Sequence, residues 1–223
     1  MSAEQSAETP EVMPAADGRL PGRRGRATRQ KLLEATAALL ETTSYRELKV
    51  VDIARKAGTS PATFYQYFPD VEVAILALGE VMAAEGPVLA QPVNGSWTGR
   101  AGYGTALALV QGFLTFWEEH EAVLRVVDLA IIEGDGRFRR IRNELLAPVT
   151  FALIEVIGEN QEAGRHPDSV DPRAQAAVLL SMLAHVAEHR HGLEAWGVTQ
   201  SQACESMARI VAWSVTGRRP GGS

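Results

Sequence analysis

The segment Lys49–Phe68, KVVDIARKAGTSPATFYQYF, holds two short helices and the turn between them. Val50, Val51, Ile53, Ala54 and Ala57 recur at helical spacing, leaving Arg55 and Lys56 for water. Gly58 follows the last periodic residue, where a left-handed C-cap costs glycine least. Ser60 is placed to cap the next helix. Pro61 suits its first position because it has no N–H to leave unpaired. Pro69 stops that helix. This is the spacing of a helix-turn-helix.

The second helix has two kinds of face. Phe64 and Phe68 are four apart and bury together, leaving Ser60, Ala62, Thr63, Tyr65, Gln66 and Tyr67 outward. Small, hydroxyl and amide side chains beside phenols suit close approach to a duplex. Hydroxyls reach phosphates, and Gln66 reaches a base edge. Lys49 and Thr59 complete the expected DNA-binding set. Upstream, Gly22-Arg23-Arg24-Gly25-Arg26 reads as an arm that places Arg23, Arg24 and Arg26 on phosphates or in a minor groove.

From about Thr28 to Val81 the chain resembles the DNA-binding domain of the TetR family of one-component transcriptional repressors. The likeness rests on Leu32, Leu33, Leu39 and Leu40 of a first helix, on Tyr45, and on Ile53, Ala54 and Gly58. The run Thr63-Phe64-Tyr65-Gln66-Tyr67-Phe68 completes it. The resemblance implies an all-α fold: an N-terminal three-helix helix-turn-helix domain and a C-terminal helical domain for ligand binding and dimerisation. It implies a repressor that binds a palindromic double-stranded DNA operator as a homodimer and is released by a small effector. A DNA-binding dimer that activates, or only shapes DNA, and senses nothing is the alternative.

Charge supports a nucleic-acid-binding head. The net charge of −5 hides an asymmetry: Arg19–Pro69 carries ten basic and four acidic residues, whereas residues 70–223 carry twelve basic and nineteen acidic. The 223 residues are 46% hydrophobic, enough for one or two domains with real cores. A single cysteine, Cys204, excludes an internal disulfide and reads as a small buried residue. No apolar run is expected to reach the ~20 residues that span a bilayer, and Met1–Gly18 lacks the order of a signal peptide. A cytoplasmic protein without membrane contact is expected.

Periodicity divides the chain into a disordered acidic arm (1–21), the helix-turn-helix domain (22–70), a helical body (71–216) and a disordered tail (217–223). In the body, helices are expected over Val71–Ala84, Ala101–Glu119, Glu121–Ile132, Arg137–Gly164 with a kink at Pro148, Asp171–His191 and Thr199–Thr216. The helix after Pro172 is apolar nearly all round and must be buried on more than one side. The family buries its last two helices against their copies in a four-helix interface. The residues expected there are Ala177, Leu180, Ala184, Met207, Val211 and Val215. A two-fold dimer sets its recognition helices about 34–36 Å apart.

The resemblance also implies an effector pocket in the body, with Leu109, Phe113, Phe116 and Trp117 facing Leu145, Pro148, Val149 and Ala152. Phe113–Trp117 with His120–Val123 is similar to the ethionamide-resistance repressor branch, which has a long apolar channel and so points to an apolar effector. Several aromatic positions of that branch are Ala106, Leu109 or Pro148 here. No catalytic residue, cofactor or metal is expected. His185-Val186-Ala187-Glu188-His189 fits an H-x-x-E-H pattern, but a third ligand is expected farther downstream than the chain's end allows.

Overall fold

A computed structural model describes residues 22–217, and no strand occurs among them. They form two compact units that divide between Leu78 and Gly79. Pro69 had placed the boundary at residue 70. It falls later, inside the helix Val71–Ala83, which buries Ala74 and Ile75.

The head contains α1 (Arg23–Leu40), a 3-10 turn at Tyr45–Glu47, α2 (Val50–Lys56), α3 (Pro61–Tyr67) and the start of α4 (Val71–Ala83). α1 begins at Arg23, where the Gly22 carbonyl accepts the Arg26 N–H at 3.0 Å. The expected basic arm is therefore the first turn of a helix. α2 packs on both α1 and α3, with Leu32, Leu33, Ile53, Phe64 and Phe68 in the core. Gly58 has φ +65°, and the Thr59 N–H closes the turn on the Ala54 carbonyl at 2.8 Å. The Ser60 hydroxyl accepts from the Thr63 N–H at 3.1 Å, capping α3. Asp70 does the same for α4, accepting from the Val73 N–H at 2.8 Å.

The body contains the rest of α4, then α5 (Pro87–Ala90), a 3-10 turn (Gln91–Asn94), α6 (Gly99–Glu119), α7 (Glu121–Ile132) and α8 (Gly136–Glu162). It ends with α9 (Pro172–Glu188), a 3-10 segment (Arg190–Trp196) and α10 (Gln200–Thr216). α6 lies along α10 and α9, while α8 packs on α9, α7 and α5. The Asp135 and Asp171 carboxylates cap α8 and α9, accepting from the Arg137 and Arg173 N–H groups at 2.8 and 2.9 Å. A Thr199–Gln202 capping box opens α10. α8 continues through Pro148, which has no N–H to donate to the turn before it.

The end of α10 is held by the loop before α9. A Cβ on Gly217 would collide with the Arg165 carbonyl oxygen, and His166 Nε2 is 3.0 Å from the Val215 carbonyl oxygen. α9 ends at Glu188, three residues before its expected end at His191, because His189 leaves helical geometry at φ −105°, ψ 19°. Val71–Asn94 is long and apolar enough to cross a membrane, with mean hydropathy 1.7. That corrects the expectation that no such run exists. The segment buries Met82, Leu89 and Val93 within the body, as a core helix of a globular protein does. The arm over residues 1–21, and the tail after Gly217, lie outside the described residues.

Candidate nucleic-acid interface and effector region

The outward side of α3 follows from its burial pattern. Phe64 and Phe68 are inside, with ring centroids 5.5 Å apart. Ala62, Tyr65 and Gln66 therefore share the opposite, exposed side, and Tyr65 is 53% exposed. Tyr65 meets the edge of Phe64 at 5.8 Å, which props its phenol outward. Ser60 and Lys49 are also exposed. Thr59, Thr63 and Tyr67 are only half exposed. The Thr59 hydroxyl donates back to the Ala54 carbonyl, and the Thr63 hydroxyl lies 3.0 Å from that of Ser60. Thr59, Ser60 and Thr63 are thus partly committed to holding the turn.

Arg23, Arg24 and Arg26 are exposed on the first turn of α1, which has no acidic residue. Cations at a helix N-terminus oppose the macrodipole by about 0.3–1 kcal/mol each. The same end attracts an anion such as a phosphate. One turn on, the Arg29 guanidinium stands 5.2 Å from the Phe68 ring centroid, so this part of α1 passes the end of α3.

In the body, Leu109, Phe113, Phe116 and Trp117 on α6 are buried, as are Leu145 and Val149 on α8. Pro148 and Ala152 are half buried. Phe113 and Trp117 stack at 5.4 Å. These side chains belong to the packed interior, where α9 lies against both α6 and α8. Of the eight, Ala152 alone borders a described cavity, one of about 380 Å³. Trp97, Glu155, Glu159, Asn160 and Arg165 also line it. A second cleft of about 500 Å³ runs between α6 and α10, lined by Leu107, Gln111, Leu114, Thr115, Cys204 and Glu205. Cys204 is buried, as its sequence context implied, and burial pushes its thiol up.

A polar cluster lies within this interior. The Arg142 guanidinium sits 5.4 Å from the Trp117 ring centroid and donates to Asp128 Oδ1. Trp117 Nε1 and Asp128 Oδ2 are buried with no hydrogen-bond partner. Burial pushes the Asp128 carboxyl above its ordinary range, opposed by the Arg142 charge. Sequence reading missed this group, since Asp128 and Arg142 look like surface charges on amphipathic helices.

The six residues expected at a dimer interface are placed differently. Leu180, Ala184, Met207, Val211 and Val215 are buried within the single body, and only Ala177 is exposed. The large apolar side chains that these helices leave exposed are Val178, at 69%, and Ile210 and Trp213, at 41% and 42%. α9 is apolar on both sides, so periodicity alone did not say which side the chain covers itself.

The model for bacterial regulatory proteins of the tetR family matches residues 32–72. That for the tetracyclin repressor-like C-terminal domain matches residues 89–222. The chain belongs to the TetR family. It is 26% identical over 219 residues to the HTH-type transcriptional regulator EthR of Mycolicibacterium smegmatis, covering 92% of this chain and 94% of that protein. Among solved structures, a tetR-family regulator from Streptomyces coelicolor superposes with a TM-score of 0.64 at 14% identity, over 85% of this chain and 80% of that one. FadR from Bacillus subtilis, in complex with stearoyl-CoA, superposes with a TM-score of 0.61 at 15% identity, over 85% and 99%. At these identities the structures share the fold. The chain is a TetR-family transcriptional regulator with a helix-turn-helix head, and the relatives named are regulators, not enzymes.

Proposed function

We propose that this regulator is a repressor that binds a palindromic operator as a homodimer in the cytoplasm and is released by a small, largely apolar effector. The observation that carries the reading is the exposed Ala62–Tyr65–Gln66 side of α3, held out by a buried Phe64–Phe68 pair on a head with a basic surplus. The second copy docks through α9 and α10, with Val178, Ile210 and Trp213 as the contacting apolar groups. One short helix offers few base contacts, so specificity comes from the two together.

The effector enters the α6–α8 region by displacing packed side chains. The buried, unpartnered Trp117 N–H and Asp128 Oδ2 favour a ligand with an apolar body and a hydrogen-bonding end. The stearoyl-CoA of FadR has that general character. Release requires the ligand to prefer the state that does not bind DNA. Selection from random duplexes tests the first half. Enrichment of a two-fold site with half-sites about 34–36 Å apart is expected. A single unrepeated half-site refutes the dimer reading. Titrating medium- and long-chain acyl thioesters into the operator complex tests the second half, and release is expected. The alternative of a dimer that senses nothing is favoured by the close packing of Phe113 and Trp117, and operator affinity unchanged by every such ligand would establish it.

A further inference from the structure

α9 ends in three side chains that suit a metal ion. His185 and Glu188 stand on its last turn and His189 follows as the C-cap, at i, i+3 and i+4. Each offers a ligand atom, and these atoms lie within 4.8 Å of one another. The two imidazoles are stacked, with centroids 4.2 Å apart. All three residues are exposed, so an ion reaches them without rearrangement of the core.

We propose that His185, Glu188 and His189 bind one divalent transition-metal ion of the zinc class. The His189 tautomer supports this. Its Nδ1 lies 3.0 Å from the His185 carbonyl oxygen, a contact only an N–H can make. A neutral His189 making this bond keeps its lone pair on Nε2, while Nδ1 also lies 3.8 Å from Glu188 Oε2. Metal-bound histidines are usually fixed in this way by a backbone or carboxylate acceptor.

The surroundings also fit. The C-terminal end of a helix carries negative partial charge, which favours a cation. The nearest arginine, Arg190, does not compete. Its guanidinium donates to the Ala187 carbonyl and to Glu121, and its side chain is 9% exposed.

The donor set decides the class of ion. Two imidazoles and one carboxylate suit Zn²⁺, Co²⁺ and Ni²⁺. Mg²⁺ and Ca²⁺ demand more oxygen ligands than one turn supplies. Three protein ligands leave a coordination position open to solvent. The H-x-x-E-H pattern had been set aside for want of a downstream ligand, but Glu188, inside the pattern, is the third.

The test uses the full chain, stripped with chelator and titrated with Co²⁺ in visible light, then with Zn²⁺ by calorimetry. Co²⁺ absorption bands at one ion per chain, lost on adding Zn²⁺, are expected. His185→Ala and His189→Ala should each weaken Zn²⁺ binding about a hundredfold, and Glu188→Gln about tenfold. His191→Ala and a titration with Mg²⁺ serve as controls, expected to show no loss and no binding. The ligands are exposed, so the metal-free variants should melt like the parent. His189→Gln replaces any that does not. No Zn²⁺ binding up to about millimolar concentration, or equal binding by His185→Ala and His189→Ala, overturns the proposal. Neither result bears on DNA binding, which is read separately.

Discussion

Helices α3 and α6 both space aromatic residues three or four apart, and they use them in opposite ways. On α3, Phe64 and Phe68 go inside and Tyr65 stays out. On α6, Phe113, Phe116 and Trp117 are all buried. α3 is seven residues long and packs by one side on α2, so its other side is free for a duplex. α6 is twenty-one residues long and has α9 and α10 along it. The meaning of an aromatic stripe is set by how many neighbours its helix has, and spacing does not report that number.

The sharpest way to break this contrast is Phe68→Ala. It should cost about 3–5 kcal/mol of head stability and abolish operator binding with it. Chemical denaturation followed by Tyr fluorescence checks the first, and anisotropy of labelled operator the second. A stable Phe68→Ala head would mean that α3 is held by its caps and not by its aromatic pair.

Tyr65→Ala and Gln66→Ala should do the reverse. Each should weaken operator binding by about 1–3 kcal/mol with an unchanged melting temperature. Gln66→Ala should also relax base preference at one position of each half-site, which competition with mutated operators reads out. Normal binding by both variants would show that the exposed side of α3 is not the reading side.

Ser60→Ala removes the α3 cap and should lower head stability by about 1 kcal/mol. Ser60→Gly should cost less, because glycine tolerates the cap geometry. Equal losses for the two would assign Ser60 to its hydroxyl contact with Thr63 rather than to the cap.

The smallest effect is a slope in the body. Burial holds the Asp128 carboxyl above its ordinary 3.8, so the folded state keeps this proton to higher pH than the unfolded chain does. Between those two values the native state binds more protons, and this group's contribution to stability falls as pH rises. Asp128→Asn removes that fall. Its stability relative to the parent should improve as pH rises from below 3.8, by no more than about 1.4 kcal/mol over one pH unit. Urea melts at several pH values check this, and a gap that stays flat refutes the burial argument.

The head was legible because its signals are local. Gly58, Ser60, Pro61 and the Phe64–Phe68 pair each act on residues within five positions, and each is found doing what its type does. The basic arm was misread for a similar reason. Gly22-Arg23-Arg24-Gly25-Arg26 has weak local helix signals, and its helical turn is an extension of α1. The body was legible in element order: α7 spans Glu121–Ile132 as its periodicity predicted. Its sites were not. Leu180 and Val211 look like interface residues by type, and the chain buries them itself. Asp128 and Arg142 look like surface charges and form a half-buried pair across two helices.

Sequence alone determined the all-α class, the helix-turn-helix, its buried and outward residues, and most helix ends in the body. Caps, turns and amphipathic period are set by neighbours along the chain, and a sequence displays those directly. Tertiary structure decided which side of α9 and α10 stays exposed, and that the α6 aromatics are packed core. It also set the Asp128–Arg142 pair against Trp117 and left His185, Glu188 and His189 together and exposed at the end of α9. Each of these depends on which residues a folded helix meets, or on where its last turn stops, and periodicity carries no record of either.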